Sequence, residues 1–142
     1  MWCQEIEETA RKQRCQMVPY GKRNYLPIGN STENFVAHGT AHGAAAARRM
    51  AEVFVSIGNV FFGHGHQYQH YSFPTLIRRS ATMVPCLCYL DQDYNRAHNG
   101  TLAQEHGWLY GEWNDSTGEV IAHVARRTTE GKFRLATGTE EL

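Results

Sequence analysis

The residues best suited to chemistry are the two histidines of Gly63-His64-Gly65-His66, which directly follow the apolar run Val60-Phe61-Phe62. Such a run is typical of a buried parallel strand, and α/β proteins bind ligands beyond the carboxyl ends of these strands. Imidazoles two residues apart on an extended segment point to the same side, and the glycine between them leaves room for a metal ion or a substrate. Because the chain holds eight histidines in 142 residues, this pair needs support from its context.

The context is a predicted βαβ unit. Residues 35–37 form a short apolar strand that ends at His38-Gly39, and the alanine-rich segment 44–55 predicts a helix. Residues 59–62 predict the next strand. A crossover of this length joins parallel strands, whose carboxyl ends lie at the same edge of a sheet. The sequence therefore predicts that His38, His64 and His66 converge on one site.

The remainder of the chain predicts a helix at the start and a β-rich tail. Helical spacing covers residues 3–16, and a loop-rich connection with one short strand follows. Alternating patterns and turn residues predict five strands at residues 67–73, 81–90, 106–113, 120–125 and 132–135. We expect an α/β fold in which the βαβ unit is followed by a mostly antiparallel tail, a meander that completes the sheet.

Composition limits the class of protein. A chain of 142 residues suits a single domain spanning residues 1–142. Its composition, with 42% hydrophobic and 20% charged residues, indicates a folded globular protein. Fourteen basic and fourteen acidic residues give no net charge, hence no global attraction to nucleic acid or anionic membranes. No apolar stretch approaches the roughly 20 residues of a membrane span, and the N-terminus lacks a signal-peptide pattern. We expect a cytoplasmic protein without a membrane partner.

Imidazoles at strand ends suit Zn, Mn, Fe, Ni or Co. The order His38-Gly39, helix, Gly63-His64-Gly65-His66 resembles the last two motifs of the calcineurin-like metallophosphoesterases, over residues 20–133. The resemblance implies an α/β sandwich of two sheets and a two-metal site. In that site His38 and His64 would bind one divalent metal and His66 the other. It also implies an enzyme that hydrolyses phosphomonoesters or phosphodiesters with metal-activated water, and nucleic acid is one candidate substrate.

The chain departs from the family in its carboxylates. Its three aspartates are Asp91, Asp93 and Asp115, so the family's earlier motifs Asp-x-His and Gly-Asp-x-x-Asp are not present before His38. The carboxylate that bridges two metals is missing with them. The sequence thus resembles the C-terminal portion of such a domain, and we expect a complementing N-terminal half or self-association. No catalytic residue is assigned.

Other interpretations stay open. His42 and His70 are candidates to orient a phosphate, or ordinary polar residues. The chain as a whole is alternatively a non-catalytic metal-binding or interaction protein. A third hypothesis is single-strand nucleic-acid binding, in which bases stack on the alternating aromatics Tyr68, Tyr71, Trp108 and Trp113. The zero net charge ranks it last.

Overall fold

The computed structural model describes residues 4–13, 24–41, 43–87 and 104–136. These residues form a mixed α/β fold with two sheets, which confirms the predicted fold class. The helices are α1 (Gln4–Lys12) and α2 (Ala46–Phe54). The strands are β1 (Tyr25–Pro27), β2 (Asn34–His38), β3 (Asn59–Gly63), β4 (Gln69–Ser72), β5 (Ser80–Met83), β6 (Gly107–Trp113), β7 (Val120–Arg127) and β8 (Phe133–Leu135).

The first sheet has the strand order β1-β2-β3-β5-β4. Strands β2, β3 and β5 run parallel, whereas β1 and β4 pair antiparallel at the two edges. The βαβ prediction is confirmed, because α2 crosses over between the parallel strands β2 and β3. Their register places His38 opposite Gly63, so both strands end at the same level of the sheet.

The core lies between α2 and one face of this sheet. The helix is amphipathic, and its buried residues are Ala46, Ala47, Met50, Ala51 and Phe54. They pack on Val60, Phe62, Ala81 and Met83 of β3 and β5. The alanines bring the helix axis close to the strands, while Phe54 and Phe62 fill the volume. Burying a side chain of that size, rather than leaving it exposed to water, stabilises the folded state by about 1.5–3 kcal/mol.

The tail differs from the prediction in three ways. The strand expected at residues 81–90 ends at Met83. Pro85 follows two residues later and has no N–H to donate to a neighbouring strand. Residues 88–90 lie outside the described part. Strand β5 also lies between β3 and β4, parallel to β3. The expected meander consists of β6, β7 and β8, and it forms an antiparallel sheet of its own rather than completing the first one.

Within the described residues, contacts in two regions connect the sheets. At one of them, the Asn30 side-chain amide donates to the Asp115 carbonyl, and a side chain on Gly29 would overlap the Trp113 indole. At the other, Glu105 contacts both the segment after His66 and Arg126 of β7. Between these contacts the sheets face each other across an open space.

Candidate metal centre at the strand ends

The histidines that end β2 and follow β3 lie side by side. The ring centres of His38 and His64 are 5.4 Å apart with 60° between the ring planes, and both residues are exposed. Two imidazoles bound to one tetrahedral ion have ring centres roughly 5 Å apart, given metal–nitrogen bonds of about 2.0–2.1 Å. The separation therefore fits two ligands of one transition metal.

The backbone orients the His38 ring. Its Nδ1 lies 2.7 Å from the Gly39 carbonyl oxygen. A carbonyl only accepts hydrogen bonds, so Nδ1 carries the proton in this contact and Nε2 is the unprotonated nitrogen of the neutral ring. Metal-binding histidines commonly have such a partner on their second nitrogen, because it fixes the tautomer and raises the basicity of the ligand. His38 is in this respect prepared as a ligand.

The segment after β3 is not extended, and this part of the prediction is wrong. His64 has φ 114° and His66 has φ 55°, both in a region that side chains rarely adopt. The chain bends at each histidine. The two imidazoles therefore do not have the same-side arrangement that an extended segment would give them. Strain of this kind concentrates at functional sites and persists where packing enforces it. Here Gly65 supplies the room, because a Cβ on it would meet the Met83 sulfur.

His66 has a different environment from the other two. It is half-buried, and its carbonyl accepts a hydrogen bond from the Glu105 N–H at 2.7 Å. Within residues 4–13, 24–41, 43–87 and 104–136, no three His, Cys, Asp or Glu residues are grouped closely enough to hold a metal ion. The described chain thus brings together two of the three predicted ligands.

The predicted phosphate-orienting histidines have separate outcomes. His42 lies outside the described residues. His70 lies on β4, its Nδ1 is 2.8 Å from the Thr82 hydroxyl of β5, and it lines the space between the sheets. Partial burial lowers the pKa of His70 below the usual value of an imidazole. His70 and its hydrogen-bond partner Thr82 thus both line the space between the sheets.

The three aspartates also have separate outcomes. Asp91 and Asp93 lie outside the described residues. Asp115 lies in the turn between β6 and β7, where its carboxylate accepts a hydrogen bond from the Trp113 indole at 2.8 Å. It has a structural role in that turn.

Glu105 is a residue that sequence patterns did not single out. Its carboxylate accepts from the Tyr68 backbone N–H at 2.5 Å and from Arg126 Nε at 2.9 Å, while Arg126 lies 4.9 Å over the Tyr68 ring. Burial raises the pKa of the Tyr68 hydroxyl, and the charge of Arg126 acts in the opposite direction. Together with the His66 carbonyl contact, Glu105 fixes the segment that follows the histidine motif. Glu105 is 37 residues from Tyr68 and 21 residues from Arg126 along the chain, so these contacts leave no local pattern in the sequence.

Comparison with known proteins gives a likeness at the level of fold. No protein-family model matches the chain, and no curated protein is similar to it in sequence. Among solved structures, a single-residue mutant of Vps29 from Entamoeba histolytica matches with a TM-score of 0.52 and 12% identity, over 99% of this chain and 77% of that one. Wild-type Vps29 from the same organism, solved in complex with Zn²⁺, matches with a TM-score of 0.49 and 13% identity, over 98% of this chain and 75% of that one.

The described helices include none that is long and apolar enough to cross a membrane. The match to the Vps29 mutant covers 99% of this chain, so it includes both of its sheets. The chain is therefore similar in fold to Vps29.

Proposed function

We propose that this chain is a metallophosphoesterase-type protein in which His38 and His64 bind one divalent transition metal. The observation that carries the proposal is the 5.4 Å separation of their rings at the ends of adjacent parallel strands. The fixed orientation of the His38 ring adds to it, because the hydrogen bond from Nδ1 to the Gly39 carbonyl sets the tautomer of the ring. Imidazole donors favour Zn, Mn, Fe, Ni or Co over Mg or Ca.

The reaction we propose is hydrolysis of phosphate esters, with nucleic acid as one candidate substrate. A metal bound at this edge would supply Lewis-acid chemistry, polarising a phosphoryl oxygen and making water more acidic. His38 is held by its register opposite Gly63 and by the Gly39 carbonyl, His64 directly follows Gly63, and both histidines are exposed. His66 is proposed as a ligand of a second metal, and His42 and His70 remain predictions as phosphate-orienting residues.

Hydrolysis requires carboxylates that the described residues do not bring to the histidines. We propose that they come from the missing family motifs, on a complementing N-terminal half or on another copy of the chain. In this proposal the chain is the C-terminal part of the functional domain. Activity then depends on assembly, while metal binding by the histidine pair does not.

Calorimetry with Zn²⁺, Ni²⁺ and Mn²⁺ tests the metal site. We expect His64→Ala to weaken binding by at least about tenfold, equivalent to 1.4 kcal/mol. The control is His123→Ala, which removes a histidine of β7 whose ring lies against Tyr110. Equal affinity of the wild type and His64→Ala would overturn the assignment.

Hydrolysis of a chromogenic phosphodiester with Mn²⁺ tests the enzymatic part. We expect activity when the chain is mixed with a candidate upstream half that carries the aspartate motifs. No activity in any combination would remove the enzymatic proposal and leave the metal site untouched.

The second candidate is a non-catalytic metal-binding or interaction protein. The observation in its favour is that no third His, Cys, Asp or Glu joins the histidine pair among the described residues. Metal binding that depends on His64 but never yields hydrolysis would select this candidate.

A further inference from the structure

The space between the two sheets contains a cavity of about 300 Å³. Its first wall is the face of the parallel sheet that points away from α2, and its second wall is formed by β7. The sheets are connected on either side of it, by the Glu105–Arg126 pair and by the contacts of Gly29 and Asn30 with the β6–β7 turn. A cavity of this size is at the lower end of the range for small-molecule sites.

A row of polar side chains crosses the first wall. Asn34, Asn59 and Ser80 are register partners at the amino ends of β2, β3 and β5. The Asn59 amide donates to Asn34 Oδ1 at 3.2 Å, and the Ser80 hydroxyl donates to Asn59 Oδ1 at 2.9 Å. Facing positions in a sheet sandwich are usually apolar, so this polar row is unusual for the space between two sheets.

The row retains hydrogen-bonding capacity toward the cavity. An asparagine side chain has two donor hydrogens and two acceptor lone pairs. Asn34 donates to the Ser31 hydroxyl and accepts from Asn59, and Asn59 donates to Asn34 and accepts from Ser80. Counting partners among the described residues, one donor and one acceptor position remain on each amide. Paired amide donors and acceptors are what proteins use to recognise the edge of a heteroaromatic ring.

The other lining residues suit a flat, uncharged ring. Phe61 and Tyr68 supply aromatic surface, and Val120, Ala122 and Val124 supply an apolar wall. Among the described residues the lining contains no Asp, Glu, Lys or Arg. Its ionisable groups include the histidines His70 and His123, and partial burial lowers the pKa of His70, which favours its neutral form. A charged ligand would lose hydration here without meeting a carboxylate, an ammonium or a guanidinium group of the described lining.

The cavity continues into a second, more polar pocket of about 490 Å³, with Asn34, Asn59 and Val120 in common. Hydroxyls of Ser31, Thr32 and Thr117 line it, together with Glu33, Glu119 and Arg78. Arg78 is ion-paired with Glu33, so Glu119 leaves the pocket with a net negative charge. This composition suits a sugar and disfavours a phosphate.

We propose that the space between the sheets is a binding site for a neutral nucleoside. The base lies in the inner cavity against the Asn34–Asn59–Ser80 row, and the ribose lies among the hydroxyls of the outer pocket. This site is independent of the histidine pair, because the row lies at the amino ends of the parallel strands and the histidines at their carboxyl ends.

Calorimetry with adenosine, guanosine, cytidine and uridine tests the site in the full chain. We expect at least one of them to bind with a dissociation constant below about 1 mM. Its 5′-monophosphate should bind several-fold more weakly, because Glu119 gives the outer pocket a net negative charge. If none of the four nucleosides shows saturable binding, the proposal is overturned, and the Asn34–Asn59–Ser80 row has only a structural role. Tighter binding of the monophosphate would overturn the neutral-ligand assignment.

A matched pair of variants tests the location. Ala122→Phe fills the cavity from β7 and should weaken binding by at least about tenfold. The control Ile121→Phe places the same ring on the exposed opposite face of that strand and should leave affinity unchanged. Equal affinity of the two variants for the nucleoside would contradict the proposed location of the site. Should Ala122→Phe not fold, wild-type amide chemical shifts decide, since binding should perturb Asn59, Phe61 and Thr82 and spare β1.

Discussion

Gly39 carries the tightest steric requirement near the histidines. A Cβ at this position would overlap the Gly63 carbonyl oxygen and approach the Phe62 ring, and it would crowd the His64 Cβ. The Gly39 N–H also donates to the Gly63 carbonyl at 3.1 Å. The absence of a side chain is thus what lets the end of β2 lie against the end of β3, and it sets the spacing of the two imidazoles.

Gly39→Ala should therefore destabilise the fold. Inserting a methyl group against fixed backbone typically costs about 1–3 kcal/mol in the free energy of unfolding. Urea denaturation measures this loss, and Gly63→Ala is the control, because a Cβ there has no atom within 4 Å. Equal stability of the two variants would show that the strand ends are not in contact.

His70 gives the fold a pH dependence. Partial burial lowers its pKa in the folded state relative to the unfolded value of about 6.5. The folded state consequently binds a proton less readily than the unfolded chain, so stability falls as pH decreases below about 6.5 toward the folded pKa. His70→Gln should reduce this fall, measured by urea denaturation at pH 7.5 and 5.5. A variant with the same pH dependence as the wild type would contradict the partial burial of His70.

At the scale of elements, Glu105 joins the segment after β3 to β7. The carboxylate is bonded to both Tyr68 and Arg126, and the Glu105 backbone is bonded to His66. Its side chain is only 20% exposed, so water and salt screen the pair less than a surface ion pair. The position of the histidine segment relative to the second sheet depends on this residue.

Glu105→Ala should lower the free energy of unfolding by about 1–3 kcal/mol, because the Tyr68 N–H and the Arg126 guanidinium both lose their acceptor. Glu112→Ala is the control, an exposed glutamate on β6 whose loss should change stability by no more than about 0.5 kcal/mol. Chemical denaturation of both variants compares them directly. Similar losses in the two would contradict the structural role of Glu105.

At the scale of the whole molecule, the fold separates two regions of different chemistry. The carboxyl ends of the parallel strands carry the exposed pair His38 and His64, and the amino ends carry the uncharged Asn34–Asn59–Ser80 row. The second sheet covers the polar face of the first and encloses a cavity there. One sheet thus presents two distinct surfaces to ligands.

The sequence predicted the parts of this arrangement that depend on local pattern. The apolar runs, the alanine-rich helix and the crossover rule were sufficient for β2-α2-β3 and for the approach of His38 to His64. The bend at His64 and His66 was missed, because a non-glycine residue with positive φ has no composition signal. The insertion of β5 beside β3 and the Glu105 contacts were missed because they join residues far apart in the chain.

The central claim is that His38 and His64 bind one metal ion, and nitrogen-15 spectra of the histidine side chains during a Zn²⁺ titration test it most directly. We predict that Nε2 of His38 and one ring nitrogen of His64 shift together at one equivalent of zinc. Nδ1 of His38 should remain protonated against the Gly39 carbonyl, and His123 should not change. Unshifted His38 and His64 resonances at saturating zinc, or changes confined to other histidines, would contradict the claim.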